Sequence, residues 1–248
     1  MLRRKQLVQQ AQLAEQCGRY KDMAAAMRQL VAEGGEPLTQ EEKTLLSKAY
    51  TFVIQELCSS WRRLKNSVEQ GVGKEKEQAE AYRETIKREL ETQCLEILGL
   101  LDHGLLKHCH ETDKGSRAFY LKMKGDNYRY LAEVAQSDTK DMLVKSAVQA
   151  YEEAQEISER HLEPTHPLAL AVALNHSVLH YEVLNNAEKA TKLAKAAFDK
   201  AIAGLETLSL EFYKESTVIM QRLRDNIVQW TSDQHEEVET NSREVEDQ

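Results

Sequence analysis

The sequence from Phe119 to Val134, FYLKMKGDNYRYLAEV, is the most specific stretch of the chain. Charged side chains recur through it at three- and four-residue intervals, which aligns them along one face of a helix. They are Lys122, Asp126, Arg129 and Glu133. Tyrosine, leucine and methionine side chains occupy the other faces, where they can pack against neighbouring helices. The spacing alone favours a solvent-exposed helix surface, so it predicts a helix and not yet a function.

The composition of the 248 residues favours an all-helical protein. Leu, Ala, Glu, Lys, Gln and Arg dominate, and all are good helix formers. Only 3 Pro and 10 Gly are available for turns, which is too few for a fold of many strands. The formal net charge of -8 argues against nucleic acid as the main partner. No run of about 18 apolar residues or signal core is present, so we expect no membrane binding and a place in the cytosol or nucleus.

Motifs for catalysis and for cofactor or metal binding do not stand out. There is no glycine-rich phosphate loop, no nucleophile elbow and no paired-carboxylate motif, so we expect no enzymatic activity and no cofactor. One cluster of possible metal ligands comprises His103, His108, Cys109 and His110. Adjacent positions on a helix point about 100° apart, and no second half-site follows. We therefore expect no metal site, and reduced, unlinked cysteines.

Hydrophobic periodicity predicts nine helices with short connections. Their expected limits are residues 7–17, 19–32, 40–68, 76–107, 119–134, 139–161, 168–184, 187–205 and 210–232. Thr39 and Glu42 form a capping box before the third helix. Thr165 or His166 can cap the seventh, and Pro167 suits its first turn.

The end of the chain, residues 233–248, is acidic and nearly free of apolar residues. Such a segment cannot bury enough apolar surface to offset the entropy lost on ordering, so we expect a disordered tail. The predicted organisation is a helical domain of residues 1–232 followed by that tail.

The segment that begins at Phe119 resembles the signature of the 14-3-3 family, whose members bind phosphoserine and phosphothreonine motifs. A second match is residues 45–62, LLSKAYTFVIQELCSSWR, in which LLS, AY and SSWR agree with the family's third helix. The resemblance extends over essentially all of the chain except the tail. It implies an antiparallel array of nine helices, assembled as a cup-shaped dimer with a peptide-binding groove. It also implies an adapter that binds phosphorylated client proteins.

In the family pattern, the arginine and tyrosine that match Arg129 and Tyr130 hold the phosphate. Including two neighbouring cations, the phosphate-binding residues implied here are Arg129, Tyr130, Arg62 and Lys122. Two other positions of the usual pocket have changed, because Thr51 replaces a lysine and Cys58 replaces an arginine. A phosphorylated side chain carries nearly two negative charges and needs several fixed donors. Losing two charged contacts of about 1.5–3 kcal/mol each predicts phosphate binding weaker by about two to four powers of ten.

Compensation for these two changes is an open alternative. Lys48 stands three residues before Thr51 on the same helix face, at a position where typical members have valine. Its flexible stem can carry an ammonium group toward the missing charge, or the side chain can simply be solvated. Arg62 is retained one turn beyond Cys58.

The last two matching segments, 168–184 and 216–230, imply the walls of the groove. Groove residues at these positions are Leu174, Asn175, Val178, Glu182, Ile219, Arg222, Asn226 and Trp230, to which we add Lys48. Asn175 and Asn226 resemble asparagines that bind the peptide backbone, a task that suits an amide because it both donates and accepts. His176 and Arg222 replace a phenylalanine and a leucine, so we expect a more polar wall and an altered ligand preference.

The resemblance also implies a dimer interface. Its residues are Leu13, Cys17, Arg19, Asp22, Ser60, Tyr82 and Glu89. Arg19 can meet Glu89 across the interface, whereas the usual lysine partner of Asp22 is Thr85 here. We expect a homodimer or a heterodimer with related subunits.

A second hypothesis belongs to another functional class. With Thr51 and Cys58 in the pocket, the chain can be a structural or heterodimerising subunit whose groove no longer reads phosphate. Such a subunit would pair with intact relatives and bind unphosphorylated acidic segments or no peptide.

Overall fold

The computed structural model describes the backbone of residues 2–246 and the side chains of residues 2–206 and 208–234. Nine helices follow one another in the described backbone: α1 (Leu2–Gln16), α2 (Tyr20–Glu33), α3 (Gln40–Gln70), α4 (Lys74–Leu100), α5 (Lys114–Val134), α6 (Ser137–His161), α7 (Pro167–Glu182), α8 (Ala187–Ala203) and α9 (Tyr213–Glu246). A π-helical turn, Leu101–Leu105, extends α4, and a 3-10 turn, Leu205–Thr207, follows α8. The described backbone contains no strand, so the predicted all-α class is confirmed for this part of the chain.

Two predicted helix starts are confirmed by their side-chain caps. At α3, Thr39 Oγ1 accepts from the backbone N–H of Glu42 at 3.2 Å, and Glu42 Oε2 accepts from the N–H of Thr39 at 2.8 Å. At α7, the side chain of His166 accepts from the N–H of Leu168 at 3.1 Å, and Pro167 is the first helical residue. Both helices therefore begin where polar side chains satisfy backbone N–H groups that the first turn leaves without partners.

Apart from shifts of one to three residues, and from α1 beginning at Leu2 instead of residue 7, three helix limits differ from the predicted ones. The fourth helix was expected to reach residue 107, but α4 ends at Leu100 and passes into the π-helical turn, in which the N–H of Leu106 donates to the carbonyl of Leu101 at 2.8 Å. The fifth helix starts at Lys114, before Phe119, because Asp113 Oδ1 accepts from the N–H of Ser116 at 3.0 Å.

The third difference concerns α9, whose backbone continues to Glu246 instead of ending at residue 232. Gln229 donates to Asp233 Oδ1 at 2.9 Å one turn later, so side-chain pairing along the helix extends past the predicted end. The predicted tail, residues 233–248, lies mostly outside the described side chains.

The chain folds into two compact units. The first comprises Met1–His110 and Tyr130–Lys140, and in it α3 packs against α2 and α4 while α1 packs against α2. Its fully buried side chains include Met23, Met27, Leu46, Ile54, Leu90 and Ile97. These residues recur at helical spacing, so the apolar stripes of the amphipathic helices form this core.

The second unit comprises Glu111–Arg129 and Asp141–Gln248. Here α8 packs against α7 and α9, and three of its alanines, Ala190, Ala194 and Ala201, are 0% exposed. Small side chains on α8 leave room for larger ones from its neighbours, including Leu170 and Leu223. This packing fixes α7 and α9, which carry several of the predicted groove residues.

Candidate functional site

Arg129 and Tyr130, the predicted phosphate ligands, lie near the C-terminal end of α5 and are each 8% exposed. In the second unit, Arg129 Nη1 lies 3.7 Å from Glu182 Oε2 on α7. In the first unit, the hydroxyl of Tyr130 accepts a long hydrogen bond of 3.4 Å from Gln55 Nε2 on α3. Burial of a guanidinium is costly unless it is balanced by anions, so Arg129 adds a strong local preference for negative charge.

Lys122, the third predicted cation, lies one helical turn before a buried carboxylate. Its Nζ is 2.7 Å from Asp126 Oδ2. Burial raises the pKa of Asp126, but the positive charges of Lys122 and Arg129 outweigh that effect and hold the pKa below its usual value. The charged stripe predicted on α5 is therefore partly an internal ion-pair network of the second unit and not simply a solvated surface.

The two substituted pocket positions lie on α3 in the first unit. Thr51 is half-buried, whereas Cys58 is only 2% exposed. Burial, and to a smaller extent Cys58, raises the pKa of the Cys94 thiol of α4. Neither position provides a formal positive charge, whereas Lys48 and Arg62, at helical spacing from them on the same face of α3, do.

Both of these cations have carboxylate partners within the first unit. Lys48 forms an ion pair with Glu15 of α1. Arg62 makes a bidentate pair with Glu133, with Nε and Nη2 at 2.5 and 2.6 Å from the two carboxylate oxygens. Lys48 is therefore neither simply solvated nor free to take the place of the missing charge without leaving Glu15.

The predicted groove residues of α7 and α9 differ in exposure. Leu174 and Trp230 are 8% and 4% exposed in the core of the second unit, and Val178 and Ile219 are half-buried against that core. The polar ones are more accessible: Asn175 and Asn226 are half-buried, and Glu182 and Arg222 are exposed. The amides thus lie at the boundary between core and solvent, where an amide can receive a ligand.

Two histidines of α7 form a feature that the sequence analysis missed. His176 and His180 are each 3% exposed, with ring centroids 5.0 Å apart, and burial lowers both pKa values to about 4. His176 Nδ1 lies 2.8 Å from Gln155 Oε1. Its Nε2 and both ring nitrogens of His180 have no hydrogen-bond partner among the described residues. These imidazoles are neutral at neutral pH, and their i, i+4 spacing was the only sequence signal.

The predicted interface residues lie on the surface of the first unit. Leu13 and Tyr82 are 54% and 61% exposed. Arg19 forms an ion pair with Asp22 of its own helix turn, and Glu89 lies 3.7 Å from Lys21. Cys17 is exposed and Ser60 is half-buried.

Among the described residues, no three or more His, Cys, Asp or Glu side chains are grouped in a way that suits a metal ion. No described helix has the length and apolar character needed to span a bilayer.

Comparison with known proteins identifies the family. The family model described as "14-3-3 protein" matches residues 10–231. The chain is 53% identical over 239 residues to 14-3-3 protein eta from Bos taurus and to the same protein from Mus musculus, covering 94% of this chain and 96% of each relative. The chain therefore belongs to the 14-3-3 family of phosphopeptide-binding adapter proteins.

Proposed function

We propose that this protein is a dimeric adapter that binds phosphoserine and phosphothreonine segments of client proteins more weakly than a typical family member does. The observation that supports it most is Arg129, an 8% exposed guanidinium that lies 3.7 Å from Glu182, a carboxylate that is itself half-exposed. A poorly hydrated guanidinium gains much from a phosphate that can accept two parallel hydrogen bonds. Tyr130 would add a hydroxyl donor beside it.

Weaker binding follows from the changes on α3. Thr51 and Cys58 carry no charge, and the nearby cations Lys48 and Arg62 are held by Glu15 and Glu133. A phosphate that recruited either cation would have to break an existing ion pair, so it would gain less than the full contact energy. The expected loss of phosphopeptide affinity is therefore about two to four powers of ten, relative to a pocket with both charges.

Asn175 and Asn226 would bind the extended backbone of the client segment, and the half-buried Val178 and Ile219 would contact its apolar side chains. The protein would act by holding its client, with no chemistry of its own. Exposed Leu13 and Tyr82 support pairing of two subunits, either as a homodimer or with a related chain. We place this activity in the cytosol or nucleus, with no role for nucleic acid or membrane.

A second candidate function is favoured by the same α3 positions. If Thr51 and Cys58 remove phosphate recognition altogether, the protein would be a heterodimerising subunit. Its groove would then bind unphosphorylated acidic segments, which carry less charge per residue, or no peptide at all.

Titration of one labelled peptide, with and without its phosphate, separates the two candidates. Phosphate-dependent binding should be measurable at low salt and should weaken strongly by about 0.15 M salt, where charges are screened beyond about 8 Å. Equal affinity for both peptides at low salt would favour the second candidate.

A further inference from the structure

A buried carboxylate in the second unit receives hydrogen bonds from side chains on α5, α6 and α7. Asp126 Oδ2 lies 2.7 Å from Lys122 Nζ, while Oδ1 accepts from the hydroxyl of Tyr151 at 2.5 Å and from Nδ2 of Asn175 at 2.6 Å. Hydrogen bonds to an ionised acceptor are shorter and roughly twice as strong as neutral ones. These three bonds hold the carboxylate, and the groups that donate to it, in one orientation.

The hydroxyl of Tyr151 has little freedom to leave this position. Its side chain is 0% exposed, and its ring lies so close to Gly125 of α5 that a Cβ there would be 2.8 Å from two ring carbons. The ring of His176 stacks nearby, with centroids 5.7 Å apart and planes 19° from parallel. Burial also raises the pKa of Tyr151 well above its usual value, so the hydroxyl stays protonated and donates. Gly125 and His176 thus fix the donor that fixes Asp126.

Asn175 is the accessible end of this chain of contacts. A side-chain amide has two N–H donors at one end and one carbonyl acceptor at the other. Because Nδ2 of Asn175 donates to Asp126, the donor end faces the carboxylate and Oδ1 is turned away from it. An amide rotated by 180° would offer a peptide a donor where it now offers an acceptor. The carboxylate therefore determines which hydrogen bonds Asn175 can make with a ligand.

We propose that Tyr151 is a positioning residue for the peptide groove: through Asp126 it sets the orientation in which Asn175 meets the backbone of a bound segment. This inference rests on the proposed function, which assigns Asn175 to the peptide backbone. Tyr151 itself is buried and touches no ligand.

A double-mutant cycle in the full chain tests the proposal. Calorimetry with one phosphorylated peptide should show that Tyr151→Phe weakens binding about 3- to 10-fold when Asn175 is present. In an Asn175→Ala background the same change should cost less than about twofold, because the residue through which it acts is gone. Equal losses in both backgrounds would indicate a general packing defect and overturn the proposal.

A second readout does not require peptide binding. In the peptide-free protein, nuclear magnetic resonance of the Asn175 side-chain amide should show shifted signals in Tyr151→Phe. The Asn175 signals should be unchanged in the control Tyr128→Phe. Tyr128 packs against the same cluster as Tyr151, but its hydroxyl does not donate to Asp126. Unchanged signals in Tyr151→Phe would refute the positioning role. If the signals shift in Tyr151→Phe but the unmodified protein binds no phosphopeptide, Tyr151 still positions Asn175. That result would refute the proposed function instead.

Discussion

Restoring a charge on α3 should tighten phosphopeptide binding, and Thr51→Lys is the cleaner of the two possible changes. Thr51 is half-buried, so a lysine there can keep its stem on the protein and its ammonium group in a hydrated site. One recovered charged hydrogen bond contributes about 1.5–3 kcal/mol. That corresponds to an affinity gain of about 10- to 150-fold.

The second change, Cys58→Arg, should add affinity at a cost in stability. Cys58 is 2% exposed, and inserting a much larger side chain into a packed position typically costs about 1–3 kcal/mol. We expect Thr51→Lys with Cys58→Arg to bind at least about tenfold more tightly than the unmodified chain. The double variant should also melt at a lower temperature than Thr51→Lys alone.

Isothermal calorimetry with a phosphorylated peptide and its unphosphorylated twin measures both effects. A matched control is Thr92→Lys, which adds the same charge at an exposed threonine of α4. The control should change affinity less than about twofold, since a solvent-exposed charge is screened by salt. If Thr51→Lys gains no more than Thr92→Lys, or gains equally for both peptides, the assignment of residue 51 to the phosphate site is wrong.

Three further predictions follow from the burial and exposure of particular residues. Burial lowers the pKa values of His176 and His180 to about 4, so the unfolded chain binds more protons than the folded one below about pH 6.5, and stability falls as pH drops toward 4. By about pH 5, each histidine should lower the free energy of unfolding by about 2 kcal/mol. Denaturation experiments on His176→Phe with His180→Phe should therefore show a free energy of unfolding that depends less steeply on pH. A pH dependence as steep as that of the unmodified chain would contradict this. Sedimentation of the unmodified chain at micromolar concentration should give a mass of about twice 28.4 kDa. The variant Leu13→Asp with Tyr82→Asp should sediment as a monomer, because both exposed apolar side chains are lost. An unmodified chain that is itself monomeric would exclude the dimer. Truncation after Gln234 should leave peptide affinity unchanged or raise it, because a tethered acidic segment competes for a basic site; a clear loss would show that the segment contributes contacts.

The order of the helices was predictable because its determinants are local. The Thr39 and Glu42 capping box lies within four residues, and apolar periodicity needs no knowledge of partners. Limits set by tertiary packing were missed. The π-helical turn after α4 includes Gly104, where a Cβ would contact the Val31 side chain of α2 at 3.4 Å. No local sequence pattern predicts that these two residues are neighbours.

Identities within the candidate site were predictable from motifs, but their partners were not. The sequence motif in α5 identified Arg129. It did not identify the partners of Asp126, because Tyr151 and Asn175 lie 25 and 49 residues away in the sequence. Lys48 was considered as a replacement charge because it shares a helix face with Thr51. Its ion pair is instead with a residue 33 positions earlier, which depends on how α1 packs and not on the periodicity of α3.

The central claim, that the groove still reads phosphate through Arg129, is tested most directly by the affinity ratio of the two peptides in Arg129→Ala. Arg117→Ala is the matched control, since it removes an arginine from the same helix that pairs with Glu153. The unmodified chain and the control should bind the phosphorylated peptide at least about tenfold more tightly than its twin, and the ratio should fall to about one in Arg129→Ala. A ratio near one in the unmodified chain, or an undiminished ratio in Arg129→Ala, would contradict the claim.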